Sequence, residues 1–516
     1  MSLAKAMGTV AGLTGVSRVA GFVRDIMTAA ILGAGPVADA FFVALKLPNF
    51  FRRVTAEGAF SVSFVPLYSK TLTQEGRANA DAFASNVFMV MLCSLTVFTF
   101  LVLIAMPWVI YGIAPGFSDD PLRYDLAVNL SRITFPYLML MSLAAVLGGV
   151  LNAHEKFAPF AVAPVLFNIS LIGALLLAGH FETAGHAMAW GVLTAGFLQV
   201  IFLIVMAYRY GFKIKYASPR IDIKMKEVLR LMGPGVIGAG VMHINLFADL
   251  MIASFLASGS ISYLYYADRL NQLPLGIVGV AVGTALLPML SKAFAKGDQV
   301  QAQDLFNRAL EYCLLLALPA AVALSAIPLT LVTVLFERGA FDAGDSAVTA
   351  QVLMAYALGL PVYIAIKVFS TVHWSRGDTV TPVKISVAAT IFNVVLSIIL
   401  MQFMGVVGIA LATGLAGWVQ FVAHMYVLRK RKAVSFDARF KVNSLKIVLA
   451  TCVMAGLLAV LATYLHGALF GGNVLLAATA LAALVATGLG SYFGMIFASG
   501  VFRVSEIKRY LKRRKV

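Results

Sequence analysis

Between residues 9 and 58 the chain carries Arg18, Arg24, Asp25, Asp39, Lys46, Arg52, Arg53 and Glu57, set in stretches as apolar as 26–32 and 40–45. A cation at the centre of a membrane helix costs about 2.5–3.5 kcal/mol. Five of them facing lipid would cost more than about 10 kcal/mol, so they must face protein or a wet cavity. Five cations against three carboxylates make that interior cationic. The chemistry this serves is recognition of an anion. A guanidinium offers a planar fork of donors that matches phosphate or carboxylate oxygens. The competing reading is a set of ion pairs that lock helices together, and it suits Asp25 and Glu57 best.

Spacing adds to this. Asp39, Lys46 and Arg53 are seven residues apart, as are Arg18 and Asp25. Seven residues return to one helical stripe, although Pro48 interrupts the first series. Enzyme signals are absent. No G-x-x-x-x-G-K-[ST] string occurs, so ATP hydrolysis is not expected. His154-Glu155 lacks the second His of a zinc-protease helix. Gly8, Gly12 and Gly15 have the spacing of membrane helix packing. Cys93, Cys313 and Cys452 match no short metal motif and read as buried small hydrophobes.

The elements that must hold these charges are membrane helices. Hydrophobic residues make up 61% of 516 and charged residues 12%, about half the charged share of a soluble domain. Mean hydropathy is +0.90. Fourteen spans are expected, at 8–33, 36–68, 84–112, 126–151, 158–179, 186–208, 228–257, 261–291, 308–336, 347–374, 381–402, 405–428, 445–466 and 471–499. Span 2 should bend at Pro48 and Gly58, and Gly33, Gly35 and Pro36 should let the first two spans flex. No cleavable signal peptide is evident.

The chain repeats itself. Pro66-Leu-Tyr-Ser-Lys70 returns as Pro288-Met-Leu-Ser-Lys292, Phe135-Pro-Tyr137 as Leu360-Pro-Val-Tyr363, and Phe167-Asn168 as Phe392-Asn393, all at offsets of 222 to 225. Six spans per copy keep one orientation. The expected fold is therefore all-α: two six-helix lobes in a V, residues 1–220 and 221–432, with two extra helices and a basic tail in 433–516. Asp268-Arg269 falls nearly where Lys46 lies in the first copy. The loop 209–226, the loop 429–446 and the tail after 502 are strongly basic, while the loops at 118–120, 181–182 and 337–345 are acidic or neutral. Cations stay inside, so both termini are expected in the cytoplasm. These loops supply much of the net charge of +17. Topology and contact with anionic membrane lipids explain it, and nucleic acid is not needed.

Several strings resemble a known family, the MurJ (MviN) lipid II flippases of the multidrug/oligosaccharidyl-lipid/polysaccharide exporter group. They are Ser17-Arg-Val-Ala-Gly-Phe-Val-Arg-Asp25, Ala38-Asp-Ala-Phe-Phe-Val-Ala-Leu-Lys-Leu-Pro-Asn-Phe-Phe-Arg-Arg53, Glu57-Gly-Ala-Phe-Ser61, Tyr265-Tyr-Ala-Asp-Arg-Leu270 and Gly279-Val-Ala-Val-Gly-Thr-Ala-Leu-Leu-Pro288. The resemblance implies a carrier in the bacterial cytoplasmic (inner) membrane that works by alternating access. It would move lipid II, an undecaprenyl-diphosphate-linked disaccharide-peptide, from the inner to the outer leaflet for peptidoglycan synthesis.

By resemblance the cargo meets Arg18, Arg24, Arg52 and Arg269 with Asp39 among them. Lys46, Arg53, Glu57 and Asp268 stand beside these. Spans 13 and 14 would carry the tail. A second polar set, Asp249, Asn393, Ser397 and Thr413, offers oxygen ligands for a monovalent cation. Interhelical hydrogen bonding is the alternative account of it, and Ser397 stands where some family members carry a second carboxylate. No organic cofactor or firm metal site is implied. Drive would come from Na+, H+ or the membrane potential, and cell-wall synthesis proteins are candidate partners. Two other classes compete. A cation-coupled drug antiporter would want acidic, aromatic spans, whereas these are basic. A scaffold for wall synthases would have no use for mid-membrane arginines.

Overall fold

A computed structural model describes residues 3–52, 60–215 and 218–501, without the side chains of 3–7, 61–62, 234–246 and 277–285. The described residues form nineteen α-helices. They are α1 Leu3–Leu32, α2 Pro36–Phe51, α3 Ser61–Gln74, α4 Arg77–Ile113, α5 Pro121–Thr134, α6 Tyr137–Ala153, α7 Ala158–Leu176, α8 Ala184–Arg209, α9 Ile223–Ser254 and α10 Ser260–Ala295. There follow α11 Gln299–Ala326, α12 Pro328–Phe336, α13 Ala343–Ala357, α14 Leu360–Ser375, α15 Val380–Met404, α16 Val406–Lys430, α17 Ala438–Tyr464, α18 His466–Phe470 and α19 Val474–Ala498. The chain is thus an all-helical, multi-pass membrane protein, as the resemblance implies.

Ten helical stretches among the described residues are long and apolar enough to cross a membrane. They coincide with ten of the fourteen expected spans. The other four expected spans fall on α1, on α2 with α3, on α9 and on α10, the helices that carry the charges discussed above. Pro48 lies inside α2, which ends one turn later, and Arg52 N still donates to its carbonyl. Gly58 lies outside the described residues. Two expected spans are broken in the middle: α5 gives way to α6 at Phe135-Pro136, and α13 to α14 at Leu358-Gly359. A proline follows within a residue or two of each break, where its missing N–H and ring end the preceding ladder.

The repeat is visible in the helix starts. Arg77 and Gln299, Pro121 and Ala343, Ala158 and Val380, and Ala184 and Val406 begin matching helices, each pair 222 residues apart. Bilayer thickness fixes helix length, so the copies keep their register.

The chain packs as two compact units, residues 1–262 with 338–341, and 263–337 with 342–516. α9 belongs to the first of these units because it packs on α3, α4 and the short 3-10 turn Pro115–Asp119. In the first unit α1 lies on α7, α2 on α5, and α6 on α8. Gly33 turns the chain after α1 with φ +66°. A Cβ there would lie 2.4 Å from the Ala340 carbonyl oxygen. In the second unit α15 packs on α16, α11 on α14, and α17 on both α11 and α19. The appended pair therefore belongs to this unit, around Leu315, Ile447, Met454, Leu484 and Tyr492. Cys313 is buried as expected. Cys93 and Cys452 are exposed, a correction. They sit on the apolar outer faces of α4 and α17, where small apolar residues meet lipid as readily as core.

Candidate functional site

Arg24 is buried on the face of α1 that meets α7. Its Nη2 and Nε donate to Asp25 Oδ1 at 2.6 and 3.1 Å. Its Nη1 donates to Asn168 Oδ1 of α7 at 2.9 Å. Asn168 Nδ2 in turn donates to the Ser17 carbonyl at 2.9 Å. The guanidinium also lies 5.8 Å from the Phe167 ring. One cation thus meets one carboxylate and one neutral amide. The amide is the weaker acceptor, since ionised acceptors bind about twice as strongly.

Asp39 is fully buried near the start of α2. Its carboxylate accepts from Gly259 N at 2.8 Å, Ser262 N at 2.9 Å and Ser262 Oγ at 2.7 Å. The two backbone N–H groups are orphan donors at the start of α10, and a carboxylate there also complements the helix dipole. Asp39 is thus a cap supplied from another helix. Arg123 stands 4.0 Å away through Nη1. It donates to Asp120 Oδ2 at 2.8 Å and to the Leu256 carbonyl at 3.1 Å, and it lies over Phe117 at 4.8 Å. Neither Arg123 nor Ser262 stands out in the sequence. Arg123 falls in a loop that reads only as acidic, and no local spacing ties Ser262 to a residue 223 positions earlier.

The other expected cargo residues divide by environment. Arg18 is exposed, and Lys46 and Arg52 are half-buried on the first unit. Arg53 and Glu57 lie outside the described residues. On the second unit Arg269 is half-buried, donates Nη2 to Tyr265 Oη at 3.0 Å and lies 4.7 Å from that ring. Asp268 accepts from Gln272 one turn on.

The second polar set is only partly assembled. Ser397 Oγ donates to Asn393 Oδ1 at 3.1 Å, both on α15 and both buried. Thr413 Oγ1 donates back to Ile409 O on its own helix at 3.0 Å. Asp249 is half-buried on α9, in the first unit. Among the described residues no group of three or more His, Cys, Asp or Glu is placed to hold a metal.

Comparison with known proteins converges on one family. Residues 28–480 match the family described as lipid II flippase MurJ. The chain is 39% identical over 521 residues to a probable lipid II flippase MurJ of Rhizobium tropici, covering 100% of this chain and 98% of that one. It is 33% identical over 522 residues to the lipid II flippase MurJ of Burkholderia cenocepacia, covering 99% and 100%. Among solved structures, a lipid II flippase MurJ in an inward closed conformation matches with TM-score 0.77 and 27% identity, over 96% and 99% of the two chains. An inward-facing multidrug-resistance MATE transporter of the MOP superfamily matches with TM-score 0.66 and 15% identity, over 80% and 94%. That second likeness concerns the fold alone.

Proposed function

The chain belongs to the lipid II flippase MurJ family, and we propose that it meets the diphosphate of its cargo with the cations of its charge-bearing helices. It is a transporter and not an enzyme: a lipid II flippase serving peptidoglycan synthesis in a bacterial membrane. The observation that carries the finer reading is the state of Arg24. Its guanidinium holds Asp25 on one edge and only the Asn168 amide on the other. A phosphoryl oxygen is the stronger acceptor and can take the place of that amide without stranding the carboxylate. Arg18, Lys46 and Arg52 of the first unit, and Arg269 of the second, supply further positive charge at exposed or half-buried positions. Arg53 and Glu57 keep their places in this reading from sequence.

Asp39 acts differently. Buried and saturated by the α10 first turn, it fixes where α10 begins rather than touching cargo. Transport proceeds by alternating exposure of the cationic helices to the two faces of the membrane, with both termini in the cytoplasm. The basic loops support that orientation. The apolar pair α17 and α19 carries the polyprenyl tail. Coupling to a cation gradient or to the membrane potential supplies the drive, and wall-synthesis proteins receive the product.

The test is replacement in a bacterium depleted of its own carrier. With this chain expressed, lipid-linked precursor should appear in the outer leaflet, read by a membrane-impermeant label, and growth should return. Arg52→Ala and Arg269→Ala should insert at normal levels and leave the precursor inside. Full growth with both positions as Ala would refute the diphosphate reading.

A further inference from the structure

The root of α17 is charged where it meets α11. Glu311 lies in α11 and is buried. A carboxylate in such a helix is tolerated only when its charge is met. Arg308, one turn earlier, donates Nη1 to Glu311. From α17, Asn443 Nδ2 donates to Glu311 Oε1 at 2.7 Å, and Arg439 Nη2 comes within 3.7 Å of the same oxygen. Arg308 also donates Nη2 to Asp437. Asp437 in turn caps α17, accepting from Phe440 N at 2.6 Å. One guanidinium therefore bridges a carboxylate inside α11 and the cap of α17.

Apolar packing around Leu315, Ile447, Met454 and Tyr492 already joins these helices. Such packing is non-directional, and it sets rotation and axial register weakly. A buried ion pair is poor at adding stability, and fixing register is its best-attested use. The first copy provides the comparison. Asn86 stands on α4, 222 residues before Arg308. It grips the chain entering α9 with a neutral amide, donating to the Arg220 carbonyl at 2.8 Å and accepting from Arg220 N at 2.9 Å, and it reaches the α9 cap Asp222 only at 3.4 Å, without a charge of its own. The chain entering α17 has that grip too, from Gln303 to Ala433 O at 2.7 Å and Asn307 to Ser435 O at 3.0 Å. The ion pair is added to it.

We infer that Arg308 is a positioning residue for the hydrocarbon tail of the cargo: its clasp sets the register of α17 and so the apolar surface that α17 and α19 present. This rests on the reading that the pair carries the tail. The cleanest test compares two cargoes on one preparation, because their ratio is independent of how much protein is folded. The full chain is reconstituted in proteoliposomes and offered lipid II with its native tail, and a farnesyl-tailed analogue with the same head.

Arg308→Ala should slow the native-tailed cargo by about tenfold relative to the short-tailed one. Arg308→Lys, which keeps charge but loses the two-sided fork, should recover part of the ratio. Equal loss for both cargoes, or no loss, would overturn the inference. Gly488→Leu separates the two ideas. A Cβ at Gly488 already comes within 2.9 Å of Leu458 Cδ2, so the larger side chain wedges α19 from α17 and leaves the clasp untouched. If Gly488→Leu shifts the ratio and Arg308→Ala does not, the clasp inference alone fails. If neither shifts it, the tail reading fails as well.

Discussion

Replacing Arg24 should cost the protein its stability before it costs transport. The pair it forms with Asp25 is almost fully buried, with side-chain exposures of 9% and 6%. Truncation to Ala leaves Asp25 without the guanidinium that holds it at 2.6 Å. It also removes the donor to Asn168 and with it one tie between α1 and α7. Breaking a buried pair from one side costs about 3–5 kcal/mol. Losses of that size are usually seen as less protein in the membrane. The second variant decides the cause. Arg24→Ala with Asp25→Asn removes both charges of the pair. If charge is the origin, the double variant should recover about half or more of the loss, a coupling of roughly 2 kcal/mol or more. The assay is thermal unfolding in detergent together with the amount of protein in the membrane. The double variant should then be present, folded and inactive if, as proposed, Arg24 also meets the diphosphate. An Arg24→Ala protein as stable as the wild type would refute the structural half of this reasoning. An active double variant would refute the other half.

Asp39→Ala removes three hydrogen bonds from the first turn of α10. Charge-assisted bonds are worth about 1.5–3 kcal/mol each, so the amides of Gly259 and Ser262 should exchange markedly faster, and unchanged exchange would deny the capping role. Gly33→Ala should destabilise by about 1–2 kcal/mol, because residue 33 holds a left-handed φ and its new Cβ would meet Ala340 O; thermal unfolding reads it. Burial first, then the Arg77 guanidinium, hold His154 below its ordinary 6.5. Its unfolded form therefore takes up the proton first. Its contribution is whole above about pH 6.5 and is lost as pH falls through the folded value. His154→Gln should flatten the fall in unfolding temperature over that window, and an unchanged profile would place the effect elsewhere.

The class and most spans were legible because a bilayer imposes a length that apolar runs reveal directly. The repeat was legible because short strings, some built around a proline as at Pro136 and Pro361, recur at nearly one offset. The breaks at Phe135-Pro136 and Leu358-Gly359 were not read as breaks, since the flanking apolar runs continue across them. The cationic helices were legible as a group, but what each cation does was not. Arg24 and Arg18 are one residue type in one apolar helix, six positions apart, yet one is buried against Asn168 and the other exposed. That difference is set by α7, far along the chain. Asp39 likewise reads as a cavity carboxylate from sequence, and nothing local in the sequence shows that the start of α10 lies on it.

The duplicated halves show why charge is harder to read than length. Helix starts agree to the residue across four pairs, yet the polar residues at matched places do not. Asp81 stands opposite Gln303 in this register, and Asn86 opposite Arg308. Length is fixed by the membrane, which both copies share. A buried polar group has only to be satisfied by whatever faces it, and different neighbours satisfy different groups. Asn86 faces mainly a backbone segment, with the Asp222 carboxylate at 3.4 Å, and an amide suffices, whereas Arg308 faces three carboxylates, Asp304, Glu311 and Asp437, and needs a cation. A charge in an apolar helix therefore becomes interpretable only with its partner. Where one partner is a neutral group, as Asn168 is at Arg24, the side chain is a structural tie whose neutral partner an anion could replace, which is what the proposed diphosphate contact requires.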